Sequence, residues 1–278
     1  LPELKVDFRW LECPVIIPYM GGKFELSRKL IPMIPHHERY IEVFAGGASM
    51  FFRKSKVDFS VLNDKDNDIV NLYLSIANHY DEFVDYAQWL IKSREIFDKY
   101  RDELKSNKEI DIPDPKRAAC YYYVIKCAFN NSCHNPISKA ADWNVDMLEN
   151  LKHSRKELDN VMIENLDFRE LTKRYPPNKK DFWYLDPPYV VAGERKDYYF
   201  HSFDEQDHAD FVKMCDEINE LGGKFMVSYD DRKEVIDAFE NYHIMKIPTR
   251  YSGQLFNKDY KNELVITNYK PIGQASLF

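Results

Sequence analysis

A chain of 278 residues, 44% hydrophobic and 31% charged, has the composition of an ordinary soluble globular protein, large enough for one α/β domain carrying a sizeable insertion. Its formal charge of −7 does not advertise a nucleic-acid binder, but residues 1–57 hold 9 Lys/Arg against 6 Asp/Glu and residues 113–181 hold 12 against 10, which permits a local basic face. No apolar run is long enough to span a bilayer, and the first residues lack the apolar core of a signal peptide, so neither a membrane protein nor a secreted one is expected.

In chain order, short β-rich runs alternate with longer helical patterns. RYIEVFAG (39–46), FSVLND (59–64), VMIENLD (161–167), DFWYLD (181–186), KFMVSYD (224–230), HIMKIPT (243–249) and ELVITNY (263–269) read as strands. Several are apolar on both faces, as parallel strands are. Helices are expected near 24–33, 48–55, 66–77, 80–105, 115–129, 145–157, 204–221 and 231–240. The alternation predicts a doubly wound, Rossmann-like α/β sheet. The span from about 78 to 158 breaks the rhythm and reads as an inserted helical subdomain. The expected division is therefore 1–77, 78–158 and 159–278, with the outer two parts forming one catalytic domain.

Four stretches carry chemistry. In VFAGGAS (43–49) an apolar strand runs into Gly46-Gly47, which lets the backbone pass close to a ligand where a helix begins, though a tight turn explains the pair equally well. In VLNDKDND (61–68), Asp64 stands at a strand end about 20 residues later, where a ribose-binding acid is wanted, and Asp66 reads as a helix cap. In ENLDFREL (164–171), Asp167 and Phe168 offer an acidic acceptor and an aromatic face for an adenine ring; capping and core packing are the simpler roles.

The fourth stretch is Asp186-Pro187-Pro188-Tyr189 at the end of DFWYLD. Each proline fixes its own φ, removes a donor and drives the preceding residue into extended geometry. The result is a stiff spur carrying a carboxylate, a proline carbonyl and an aromatic face. Such a spur suits the amino group and π-surface of a base taken out of a helix.

With PYMGGK (18–23), FAGGAS (44–49) and DPPY (186–189), the chain resembles Dam-like adenine-N6 DNA methyltransferases, which use S-adenosylmethionine. VMIENLDFREL, FMVSYDD and ELVITNY fit the same family, so the resemblance covers about residues 18–78 and 158–270. It implies a seven-stranded sheet with the last strand antiparallel. It places Tyr19, Lys23, Phe44, Ala45 and Gly46 at the methionine end of the cofactor, Asp64 on its ribose, and Asp167 and Phe168 on its adenine. Asp186, Pro187, Pro188 and Tyr189 form the target-base motif. S-adenosylhomocysteine is the implied product.

Within the insertion, VIKCAFNN (124–131) is similar to a stretch of the family's recognition region, but Lys126 stands where Arg is usual. The downstream basic-asparagine pattern is also missing, so the target sequence, GATC included, stays open. Lys126, Asn130, Asn131, Lys139 and Arg155 are candidates for DNA contact, and Arg250 and Lys258 are weaker ones. Cytosine-N4 methylation, RNA methylation and a cofactor-binding protein without turnover remain open at this point.

The five cysteines form no CxxC pair and the eight histidines show no ligand spacing. No metal is expected, and a reducing, cytoplasmic compartment of a microbe or virus is. Duplex DNA is the expected partner, with a monomer or weak dimer as the acting species.

Overall fold

The computed structural model describes residues 15–18, 23–106, 109–141, 143–188, 203–249 and 261–271. The chain forms two compact units: Leu1–Ser27, Gly46–Lys56 and Asn67–Val161 make one, and Arg28–Ala45, Val57–Asp66 and Met162–Phe278 the other.

The second unit is built on a seven-stranded sheet of β1 (Arg39–Glu42), β2 (Phe59–Asn63), β3 (Val161–Glu164), β4 (Asp181–Leu185), β5 (Lys224–Asp230), β6 (His243–Thr249) and β7 (Lys261–Thr267). Their order is β3-β2-β1-β4-β5-β7-β6. β1 pairs in parallel with β2 and β4, and β4 with β5, whereas β7 runs antiparallel to both β5 and β6. All seven expected strands are present, and the expected antiparallel last strand is β7. The order in which strands are laid down reverses between β1 and β4, and in doubly wound folds ligands bind beyond the carboxyl ends of the strands at such a point.

Central strands are buried on both faces, as parallel strands are. Every residue of β4 is buried. On one face Ile41, Val43, Val61, Trp183, Leu185, Phe225, Val227, Leu264 and Ile266 form a core with α7 (Phe168–Arg174), α8 (Glu205–Glu220) and α9 (Lys233–Ala238). The other face buries a more polar row: Tyr40, Glu42, Tyr184 and Ser228. At the amino ends of β1 and β4, Arg39 forms a two-pronged ion pair with buried Asp181. The edge strand β6 is only partly buried and carries Lys246 and Pro248, which discourage pairing by a further strand.

The first unit is helical, with α2 (Asn67–Asn78), α3 (Tyr80–Ala87), α4 (Arg94–Ser106), α5 (Pro115–Cys127) and α6 (Asp146–Glu157). A short α1 (Phe24–Leu30) precedes β1. α5 begins in the way its sequence dictates: Asp114 caps it by accepting from the Arg117 amide, and Pro115 occupies the first turn. It is buried nearly all round, which makes it the core helix of this unit. Tyr122 meets Phe83 and Trp143 edge-on, and Tyr123 meets Trp143 with ring centroids 4.9 Å apart. α2 is tied to α5 by two pairings. Arg117 grips Asp68 with contacts of 2.6 and 2.9 Å, and Asn71 exchanges hydrogen bonds with the backbone of Asp114.

Three helix expectations differ from the structure. Residues 48–55 form consecutive turns, because Gly46 and Ala48 both take positive φ (47°) and the chain then buries Phe51 and Phe52 without a continuous helical ladder. The single helix expected over 80–105 is two, α3 and α4, separated by residues 88–93. α7 was not among the expected helices, but it starts at the residue read as a possible cap, with Asp167 accepting from the Arg169 amide. Among the described residues no helix is long and apolar enough to cross a membrane.

Candidate active site at the carboxyl ends of the strands

Phe44, Ala45, Asp64, Asp167, Phe168, Asp186 and Pro187 all belong to the sheet-containing unit and follow the ends of β1, β2, β3 and β4. One residue that the sequence reading did not single out ties three of these ends together. Asn63, the last residue of β2, is 1% exposed. Its side-chain amide donates to the Val43 carbonyl at 2.9 Å and the Leu166 carbonyl at 3.1 Å, and its side-chain oxygen accepts from the Leu166 amide at 2.9 Å. Its own carbonyl accepts from the Ala45 amide at 2.8 Å. The loop starting at Phe44 and the loop leading to Asp167 are thereby fixed to the end of β2. The signal in the sequence was a lone Asn directly before Asp64 where an apolar strand residue was due.

Asp64 is half-buried, and its carboxylate accepts the Asp66 amide at 2.9 Å, a local turn that holds the acid at the strand end. The Asn165 side chain donates to the Asp64 carbonyl. Asp167 is both cap and ion-pair partner: besides the Arg169 amide it accepts from Lys65 at 2.8 Å and from the Arg169 guanidinium at 2.9 Å. Partial burial pushes its carboxyl upward, but these hydrogen bonds outweigh that and hold it below the usual carboxylate range. Arg169 also pairs with Asp207 and Asp210 on α8, and its guanidinium lies 4.5 Å from the Phe168 ring centroid.

Phe168 is 6% exposed and packs against Phe44 and Phe203 with centroids 5.7 and 5.8 Å away. Phe44 is more open, and its ring stands at 81° to that of Phe203. Aromatic rings and carboxylates at strand ends can offer a flat surface to a heterocycle and acceptors to hydroxyl and amine donors.

Asp186 follows the last residue of β4, half-buried, with Pro187 buried behind it. Its carboxylate accepts from the Ser228 hydroxyl of β5 at 3.0 Å. Lys23 and Gly46 lie in the helical unit. Lys23 is 7% exposed, and the Gly46 carbonyl accepts from the hydroxyl of Tyr73. Tyr19, Tyr189, Arg250 and Lys258 lie outside the described residues.

Of the candidates for DNA contact, Lys126 is half-buried at the end of α5 with its ammonium 5.5 Å from the Tyr122 ring centroid, and burial lowers its pKa. Asn130 and Asn131 both adopt positive φ (53° and 52°) in a loop closed by pairing of Ala128 with Ile137. Asn130 is exposed, while Asn131 donates to the Ile125 carbonyl. Lys139 and Arg155 are exposed.

The four described cysteines, Cys120, Cys127, Cys133 and Cys215, are free and buried. Among the described residues no group of three or more His, Cys, Asp or Glu is arranged to hold a metal ion.

Known proteins share this sequence pattern along most of the chain. A type II methyltransferase of Lactococcus lactis subsp. cremoris, M1.LlaDCHI, is 22% identical over 269 residues, covering 90% of this chain and 94% of its own. The type II methyltransferase M.CviBI of Paramecium bursaria Chlorella virus NC1A is 25% identical over 270 residues, 91% of this chain and 99% of the viral one. A DNA adenine methylase of Escherichia coli K12 is 22% identical over 276 residues, 92% of this chain and 95% of its own. The family model of the D12 class N6 adenine-specific DNA methyltransferases matches residues 19–252, spanning the ends of β1 to β4. The chain belongs to that family and is an enzyme that methylates adenine in DNA at N6.

Proposed function

We propose that the enzyme acts on an adenine turned out of duplex DNA, and that Asp186 and the Pro187 carbonyl receive its amino group. The observation that carries this reading is the place of Asp186. It extends from the buried central strand β4, beside the point where the strand order reverses, with its carboxylate held by Ser228.

An exocyclic amine is a poor nucleophile because its lone pair is delocalised into the ring. Two acceptors aimed at its two N–H groups favour a tetrahedral nitrogen whose lone pair is released for bonding. Positive charge grows on that nitrogen during transfer, so fixed acceptors stabilise the transition state more than the ground state. The carboxylate need not remove a proton first; the positively charged methylated nitrogen loses its extra proton after transfer, through the Asp186 carboxylate to solvent. Turning the base out of the duplex costs a few kcal/mol, and stacking on Tyr189, worth roughly 1–3 kcal/mol, offsets much of it.

S-adenosylmethionine supplies an electrophilic methyl group on a sulfonium. The residues that would hold it are Asp64 at the ribose, Asp167 and Phe168 at the adenine, and Tyr19, Lys23, Phe44, Ala45 and Gly46 at the methionine end. The aromatic group and the two strand-end acids are chemically suited to that task, and S-adenosylhomocysteine would be released.

The helical unit would read the DNA. The exposed Asn130 loop, Lys126, Lys139 and Arg155 are the proposed contacts, and the working species would be a monomer or weak dimer in the cytoplasm of a microbe or of a virus-infected cell.

Two measurements test the reading. Duplex DNA incubated with methyl-tritiated S-adenosylmethionine, then digested and chromatographed, is expected to yield label in N6-methyldeoxyadenosine; label confined to deoxycytidine or to RNA would overturn it. Asp186→Ala is expected to bind the cofactor normally and lose methyl transfer, and undiminished turnover in that variant would remove Asp186 from the mechanism.

A further inference from the structure

The polar row on one face of the sheet ends at Asp186. β4 and β5 run in parallel, with Leu185 opposite Val227 as their last pair. One step further, Asp186 and Ser228 fall on the same face, the one that also carries Tyr184. Ser228 is fully buried and Tyr184 is 1% exposed. The Ser228 oxygen lies 3.0 Å from Asp186 Oδ1 and 2.8 Å from the Tyr184 hydroxyl.

Proton counting fixes the direction of this chain. A carboxylate only accepts, so Ser228 must spend its one proton on Asp186. The Tyr184 hydroxyl must then donate to Ser228. Burial, followed by the charge of Asp186, raises the Tyr184 pKa far above its ordinary value, so the phenol keeps the proton it donates. Each bond polarises the next.

We infer that Ser228 and Tyr184 are positioning residues for methyl transfer: a relay from Tyr184 through Ser228 locks the Asp186 carboxylate in the orientation that receives the target amine. The direction of an aspartate carboxylate is set by its χ1 and χ2 angles. Anchoring Oδ1 holds those angles before the base arrives, which is how pre-set geometry contributes to rate. The inference rests on the catalytic reading of Asp186.

The test compares Ser228→Ala, Ser228→Thr, Tyr184→Phe and the Ser228→Ala/Tyr184→Phe double variant with the unaltered enzyme. Readouts are kcat, KM for cofactor and for DNA, and thermal midpoint. Ser228→Ala is expected to lower kcat about 10- to 100-fold, the usual loss when a hydrogen-bonded support of a ligating group is removed. Both KM values are expected to stay within about twofold. Ser228→Thr restores kcat because it keeps the hydroxyl. Tyr184→Phe lowers kcat less, and the double variant is no slower than Ser228→Ala, since both changes act through one bond.

Wild-type kcat in Ser228→Ala would overturn the inference. So would losses that follow the thermal midpoint and cofactor KM in parallel, or additive losses in the double variant. If Ser228→Ala does not fold, Tyr184→Phe decides, and an unchanged kcat there overturns it. Asp186→Ala, run alongside, separates the two claims: an inactive Asp186→Ala beside a fully active Ser228→Ala sinks the relay alone, whereas an active Asp186→Ala sinks the catalytic reading itself.

Discussion

Asn63 contacts no reacting group in the proposed mechanism, yet three strand ends depend on it. Its side chain uses both donor and acceptor on backbone groups of the β1 and β3 loops. Shortening it to alanine strands the Leu166 amide and two carbonyls in a buried place, at a cost of about 1–3 kcal/mol. The expected outcome for Asn63→Ala is a lower urea midpoint and cofactor affinity weakened about tenfold by calorimetry, the equivalent of 1.4 kcal/mol. Unchanged affinity would mean the loops hold their positions without it. The sequence showed the acids on those loops but not what holds them, because the hydrogen-bonding partners of Asn63 lie 20 and 103 residues away. Asp167 illustrates the opposite case. Its capping role was legible from its neighbours, whereas its pairing with Lys65, 102 residues distant, was not.

Helices and strands were legible to different degrees for a related reason. The strands announce themselves as apolar runs; the central ones are buried on both faces, while the edge strands β3 and β6 are only partly buried. The break between α3 and α4 is imposed from outside. The Tyr123 hydroxyl donates to the carbonyls of Ile91 and Ser93, and the Trp143 indole donates to the Leu90 carbonyl. Local pattern over 80–105 contains none of this. Residues 48–55 likewise have a plausible helical composition, but positive φ at Ala48 and burial of Arg53, which donates to Ser27, override it. The attachment of α2 to α5 gives an energetic test at this scale. The side chains of Arg117 and Asp68 are 11% and 10% exposed, so Asp68→Ala leaves a mostly buried guanidinium without its partner. The loss expected in chemical denaturation is about 3 kcal/mol. A change below about 1 kcal/mol would show that solvent or another acceptor takes over.

For the molecule as a whole, the net charge of −7 sets a condition on DNA binding. Affinity must come from a few cations facing the phosphates rather than from overall attraction. A protein of this kind loses affinity steeply with salt, by a slope in log–log form of about 0.9 for each phosphate neutralised. Lys139→Ala and Arg155→Ala are each expected to weaken binding to all duplexes alike and to flatten that slope by about one. A slope unchanged in both variants would remove them from the interface. Sequence alone could nominate these two residues but not weigh them, since most exposed cations serve only solvation.

The position of β7 carries a consequence for biosynthesis. Among the described residues it follows β6 in sequence, yet it lies between β5 and β6. Until Lys261–Thr267 has been translated, the carboxyl-side neighbour of β5 is missing and that strand presents open backbone donors and acceptors. The sheet is therefore completed only once Lys261–Thr267 has left the ribosome, while the helical unit, whose segments come earlier in the chain, can compact first. A nascent chain halted before that point would display an adhesive edge, making premature termination a greater hazard for this enzyme than its surface charge alone would suggest.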